Sequence, residues 1–197
     1  MKKPLILCIL VLNAAISTNA LGASGCVKGD CEEGRGVYRF LDGTIYTGDF
    51  EEGIMEGQGR MQYPDGTEYD GHYRKGKQDG IGKITYPSGS SYSGGFMMGL
   101  KYGEGVYIYA DGSQYQGHFI NDIPEGAGKM TFPDGARYEG EFKNGLFHGR
   151  GLFIYADGGS YEGEFKRGKK DGRGTYTFPD GDKQTGSFLQ DKFQAEK

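Results

Sequence analysis

Tryptophan is missing from the 197 residues, cysteine occurs three times, proline six times and histidine three times. Three cysteines cannot build the dense disulfide framework of a small secreted module. Only Leu5–Leu12, near the N-terminus, forms a sustained apolar run, and no later segment is apolar for long enough to cross a membrane as a helix. An apolar fraction of 36% is thin for a globule built round one central core. Acids outnumber bases, 27 to 23, giving a formal charge of −4. An acidic chain is a poor non-specific ligand for nucleic acid or anionic headgroups.

Glycine and aromatics are abundant instead: 38 Gly, 15 Tyr and 12 Phe. They recur in register. Tyr46, Tyr69, Tyr92, Tyr115, Tyr138 and Tyr161 each open a Tyr-x-Gly motif and stand 23 residues apart, and Gln184 holds the seventh place. The fullest copy, Gly126 to Gly149, reads G-A-G-K-M-T-F-P-D-G-A-R-Y-E-G-E-F-K-N-G-L-F-H-G. A fixed period of this size marks a repeat array, in which each unit packs only on its neighbours and a central core is unnecessary. So many aromatics also exclude a disordered chain.

The first residues are a separate object. Lys2 and Lys3, the apolar run and Thr18-Asn19-Ala20 predict a signal peptide over residues 1–20, cut after Ala20. Export to a periplasm or to the medium follows, and loss of the two lysines moves the formal charge from −4 to −6. Cys8 leaves with the signal. Cys26 and Cys31 remain and predict a small disulfide loop in an N-terminal cap over residues 21–33. Ala23-Ser24-Gly25-Cys26 also loosely resembles a lipobox, which would lipidate Cys26, although the large aliphatic residue expected three positions before the cysteine is absent.

The repeat itself predicts geometry. Val37-Tyr38-Arg39-Phe40 and Ile45 to Phe50 alternate in type about a turn, as two antiparallel strands do. Four copies carry proline before the Asp-Gly or Ser-Gly step, at Pro64, Pro87, Pro133 and Pro179. Proline holds φ near −65°, which suits a type I turn and not the positive φ of type I′. A three-residue loop closed by a left-handed glycine therefore fits. That loop pairs Phe40 with Thr44, Tyr38 with Tyr46 and Gly36 with Gly48, and it puts Tyr38, Phe40, Tyr46 and Phe50 on one face. In the fullest copy Met130, Phe132, Tyr138 and Phe142 share that face, where they are expected to glue hairpin to hairpin. The array spans residues 34–193, with a polar tail at 194–197.

The iterated pattern G-x-G-x-x-x-x-P-D-G-x-x-Y-x-G-x-F-x-x-G, at its clearest from Tyr138 to Gly145 and from Tyr161 to Gly168, resembles the MORN (membrane occupation and recognition nexus) repeat. The resemblance implies an all-β, elongated and twisted single sheet, a rod or half-pipe of tandem antiparallel hairpins. It also implies interaction work: binding a protein partner, self-association or, in some members, contact with phospholipid.

No catalytic arrangement emerges. The G-x-G pairs have neither the third glycine nor the helix that would hold a pyrophosphate. His72 and His118 share a repeat phase two copies apart, roughly 19 Å at the usual strand spacing, which is too far to share a metal. The expectation is a non-enzymatic scaffold without cofactor, metal or nucleic acid. Two surface features are candidates for its contacts. Val106, Ile108, Leu152 and Ile154 put aliphatics on the otherwise polar face, a candidate partner patch. Lys166, Arg167, Lys169, Lys170 and Arg173 form a candidate anionic-lipid patch for peripheral membrane attachment. Tyrosine faces beside acidic residues also suit glycan stacking.

Overall fold

The computed structural model describes residues 24–194. The expected signal peptide and the last three residues lie outside the described residues. Sixteen strands form one sheet, every pairing antiparallel and every neighbour consecutive in the chain. They are β1 (Gly25–Gly29), β2 (Gly34–Arg39), β3 (Ile45–Glu51), β4 (Ile54–Gln62), β5 (Glu68–Arg74), β6 (Lys77–Thr85), β7 (Ser91–Met97) and β8 (Leu100–Ile108). The second half continues with β9 (Gln114–Ile120), β10 (Ile123–Thr131), β11 (Arg137–Lys143), β12 (Leu146–Ile154), β13 (Ser160–Lys166), β14 (Lys169–Thr177), β15 (Lys183–Leu189) and β16 (Lys192–Gln194). Stacked at about 4.8 Å per strand, the array is roughly 70 Å long.

The turns have the expected form. Gly43 donates its N–H to the Phe40 carbonyl at 3.0 Å and Phe40 donates to Thr44 at 2.9 Å, a type I turn closed by a bulge. The closing glycines all adopt positive φ, from +85° at Gly89 to +94° at Gly181. Tyr38 pairs with Tyr46 and Gly36 with Gly48. The aspartate that six of the seven turns carry has a task of its own: its carboxylate accepts the N–H two residues on, as Asp42 does from Thr44 at 2.9 Å and Asp134 from Ala136 at 3.0 Å, and in the remaining turn the Ser88 hydroxyl accepts from Ser90.

The two glycines of each G-x-G pair do different work. The first, at Gly57, Gly80, Gly103, Gly126, Gly149 and Gly172, takes positive φ where the strand bulges. The second lies beneath the tyrosine ring of the preceding strand. A Cβ on Gly151 would come within 2.5 Å of the Tyr138 ring, and Gly140 across the ladder is equally closed by the Gly151 Cα. The ring lies on bare backbone, and its hydroxyl donates to a carbonyl in the bulge, from Tyr138 to Glu141 at 2.9 Å and from Tyr46 to Asp49 at 3.0 Å. All six Tyr-x-Gly tyrosines are fully buried.

Two further rings lock each tyrosine edge-on from both sides, phenylalanines except where Tyr73 takes the place beside Tyr46 and Tyr69. Tyr115 meets Phe119 of its own repeat at 5.1 Å and Phe142 of the next at 4.8 Å. The core is thus a zipper along one face, with no centre.

Both ends cover their glycines with something other than a Tyr-x-Gly tyrosine. Cys26 and Cys31 are disulfide-bonded, and Sγ of Cys31 covers Gly36, where other copies place a ring. At the far end, Phe193 lies over Gly186 and packs edge-on against Phe188 at 5.3 Å.

Burial raises the tyrosine hydroxyls: Tyr46, Tyr92, Tyr138 and Tyr161 are pushed from 10.0 to about 12, and Tyr69 and Tyr115 higher still. A pKa raised by folding means that the neutral form is the one the folded state favours. The associated stability is complete below pH 10 and is lost as pH rises through about 12. Alkaline titration should show the exposed tyrosines ionising first, and the seven buried ones, Tyr73 included, only together with loss of the β circular dichroism signal. Ionisation of all fifteen in one reversible step with the sheet intact would contradict this packing.

Candidate binding face

The aromatic face has two rows. The Tyr-x-Gly tyrosines form the inner row and are sealed. The residues just before each turn form the outer row: Phe40, Tyr63, Tyr86, Tyr109, Phe132, Tyr155 and Phe178. These rings are half-buried, with Tyr109 and Phe178 exposed at 37% and 40%. The expectation that the rings serve as glue therefore holds for Tyr138 and Phe142, while Phe132 remains partly open to solvent. Burial of their hydroxyl ends raises Tyr63, Tyr109 and Tyr155 above the usual tyrosine value.

Between the rows lies a hollow of about 200 Å³, lined by Tyr109, Pro124, Met130, Phe132, Leu146 and Phe147 among others. Phe147 forms its wall by stacking flat on Tyr138, with centroids 3.9 Å apart and planes 16° from parallel. Phe147 belongs to a variable repeat phase, shared by Met55, Gln78, Lys101, Pro124, Lys170 and Phe193. Where that phase is lysine, a cation joins the aromatic face. Lys101 Nζ meets the Asp122 carboxylate at 3.0 Å. Burial is the largest single influence and pulls the Lys101 pKa down, but the hydrogen bond to Asp122, that carboxylate's charge and the Tyr86 hydroxyl together outweigh it and hold the group above its ordinary value.

The opposite face separates the residues singled out from the sequence. Val106 and Ile108 lie on β8 and face Gln116 and Gln114. Leu152 and Ile154 lie on β12, flanked by Glu139 and Arg137 on one side and Glu162 and Ser160 on the other. Four strand steps, roughly 19 Å, divide the pairs, and Lys129 and Thr131 stand between them. They are two small patches and not one strip.

The basic group divides as well. Lys166 and Lys169 pair across the turn that contains Arg167. Lys170 points to the aromatic face, opposite Phe165. Arg173 borders an open hollow of about 510 Å³ beside Glu162 and Glu164, which offset its charge.

Sequence reading missed a more continuous feature. At the link turns, Met97 pairs with Leu100, Ile120 with Ile123 and Lys143 with Leu146. All five aliphatics are exposed. The neighbouring link on one side carries Arg74, Lys75 and Lys77, and the one on the other carries Lys166, Arg167 and Lys169. The signal was available: position eight after the Tyr-x-Gly tyrosine is aliphatic in three successive copies, Leu100, Ile123 and Leu146, and position five is aliphatic in the first two of them, Met97 and Ile120.

Among the described residues no cluster of three His, Cys, Asp or Glu could hold a metal ion. His72 lies against Gln58, and His148 uses its carbonyl to accept the Tyr138 hydroxyl at 3.3 Å. Nor does any helix among the described residues have the length and apolarity to cross a membrane.

Comparison with known proteins follows the same geometry. No curated protein matches the chain closely enough to count as a relative. Among solved structures, the TCP domain of SAS-4 (dCPAP) from Drosophila melanogaster, determined in complex with a proline-rich motif of Ana2 (dSTIL), is similar at a TM-score of 0.52 with 14% identity, covering 84% of this chain and 90% of that one. The wild-type TCP10 domain of Danio rerio CPAP gives a TM-score of 0.45 with 19% identity, over 78% of this chain and 72% of that one. The first likeness is one of fold. The MORN repeat profile matches residues 24–45, 46–68, 69–91, 92–114, 115–137, 138–160 and 161–183, each match closing just before the next Tyr-x-Gly tyrosine or its equivalent. With seven consecutive copies covering most of its length, the chain belongs to the MORN repeat family.

Proposed function

We propose that the protein is an exported, non-enzymatic scaffold whose aromatic face docks an extended, proline-rich segment of a protein partner. The observation that carries this reading is the outer row of half-open rings beside the apolar hollow. A solved core would have closed those rings, as it closes the inner row. Proline-rich segments are ordered before binding and have no internal hydrogen bonds to satisfy, so they dock on aromatic surfaces at low entropic cost. The Drosophila SAS-4 domain, of similar fold, was solved with a proline-rich motif, which supports the choice of occupant.

A fluorescein-labelled octaproline peptide should bind the mature array, and the double variant Tyr109→Ala, Phe132→Ala should weaken binding by about tenfold or more, as loss of an aromatic anchor does. An unaltered affinity sinks the reading. Concentration-dependent dimerisation abolished by the same pair would assign the face to a second copy of the chain instead.

Export rests on the N-terminal pattern. Intact mass spectrometry of protein expressed with its own leader should give a chain beginning at Leu21 with two hydrogens lost to the disulfide. An uncleaved Met1, or an acyl mass on Cys26, overturns that part.

The link rim favours a second reading, contact with an anionic membrane surface. Met97, Leu100, Ile120, Ile123 and Leu146 would enter the interface, with the flanking lysines and arginines on the headgroups. Sedimentation with phosphatidylglycerol vesicles should fall several-fold for the Ile120→Ser, Ile123→Ser variant. Equal sedimentation with and without vesicles removes this reading.

A further inference from the structure

One polar device is built twice in the array, three repeats apart, and is finished differently each time. Lys101 and Lys170 occupy the same repeat phase, and 21 residues after each stands an aspartate, Asp122 and Asp191, where most links have glycine. Both aspartates hold φ at +71°, a conformation that favours glycine, so the substitution needs a local reason. At the first site the reason is complete: Asp122 Oδ1 accepts the Lys101 backbone N–H at 3.1 Å and its ammonium at 3.0 Å.

At the second site Asp191 accepts only the Lys170 backbone N–H, at 2.9 Å. The Lys170 ammonium turns away to the aromatic face. It donates to the Tyr155 hydroxyl at 3.2 Å and lies 5.1–5.9 Å from the ring centroids of Tyr155, Tyr161, Tyr176 and Phe188. No carboxylate among the described residues forms an ion pair with it. Rings and a hydroxyl solvate a cation in part, and a carboxylate makes a stronger, charge-assisted bond to it. A half-buried ammonium on an open aromatic face, in an array of net negative charge, selects an anionic group.

We propose that Lys170 receives a carboxylate of the docked segment, and so sets the register of that segment on the face. The inference rests on the docking reading above and deepens it. Lys170 and Phe147, which walls the hollow, occupy the same phase in adjacent repeats, two strand steps or roughly 10 Å apart. An extended chain advances about 3.1–3.3 Å per residue, so three residues cover the distance. The segment recognised is therefore an apolar residue in the hollow followed or preceded, three positions away, by Asp or Glu.

Two fluorescein-labelled peptides test this, Pro-Pro-Leu-Pro-Pro-Glu-Pro-Pro and the same peptide with Gln for Glu. Fluorescence anisotropy with the mature array should show the Glu peptide binding about tenfold more tightly, as one charge-assisted bond provides. Lys170→Met should bring the Glu peptide down to the affinity of the Gln peptide, and Met55 shows that methionine fits this phase. Lys170→Arg should keep a preference, and Lys101→Met, whose ammonium is already paired, should leave it unchanged. Equal affinity of the two peptides for the wild-type array overturns the proposal while leaving peptide docking in place, and so does a preference that survives Lys170→Met. Failure of both peptides to bind overturns the docking reading and this inference with it.

Discussion

The whole array depends on one contact, a tyrosine ring laid on bare glycine backbone. Each ring covers a Gly–Gly pair of the ladder, anchors its hydroxyl in the next bulge and is held edge-on by two further aromatic rings. Apolar burial, aromatic geometry and a satisfied buried hydroxyl are all met by one side chain, which is how a chain with so small an apolar fraction orders a sheet of sixteen strands. The glycine content follows from that contact. Half of each G-x-G pair provides room and the other half provides the positive φ of the bulge.

Because each ring reaches only its own and the next repeat, cohesion is local and the ends must be finished separately. The disulfide at one end and Phe193 at the other place a sulfur and a ring over glycines that have no further tyrosine to cover them. The same locality leaves positions outside the zipper free to vary from copy to copy. Variation at the Phe147 phase puts two lysines on the aromatic face, and variation at the link turns assembles aliphatics between basic neighbours.

Much of this was legible in the residues. Proline before Asp-Gly dictated the three-residue loop, and with it the pairing of Tyr38 with Tyr46 and the shared face of Tyr138 and Phe142. Candidate contact residues were less legible. Val106 and Leu152 are alike in type and phase, yet an even strand spacing across a wide sheet keeps them apart. Lys170 read as one of five neighbouring cations, and strand alternation beyond the bulge turned it to the other face.

By itself the sequence determined the repeat, its turn chemistry and the register of its hairpins, because those depend on φ preferences and on side-chain period, which are local. Only the tertiary structure decided which rings are sealed and which stay open, and which of two equivalent lysines is neutralised within the chain. Those outcomes depend on what the next repeat lays over each side chain, and on the face to which a bulged strand turns it.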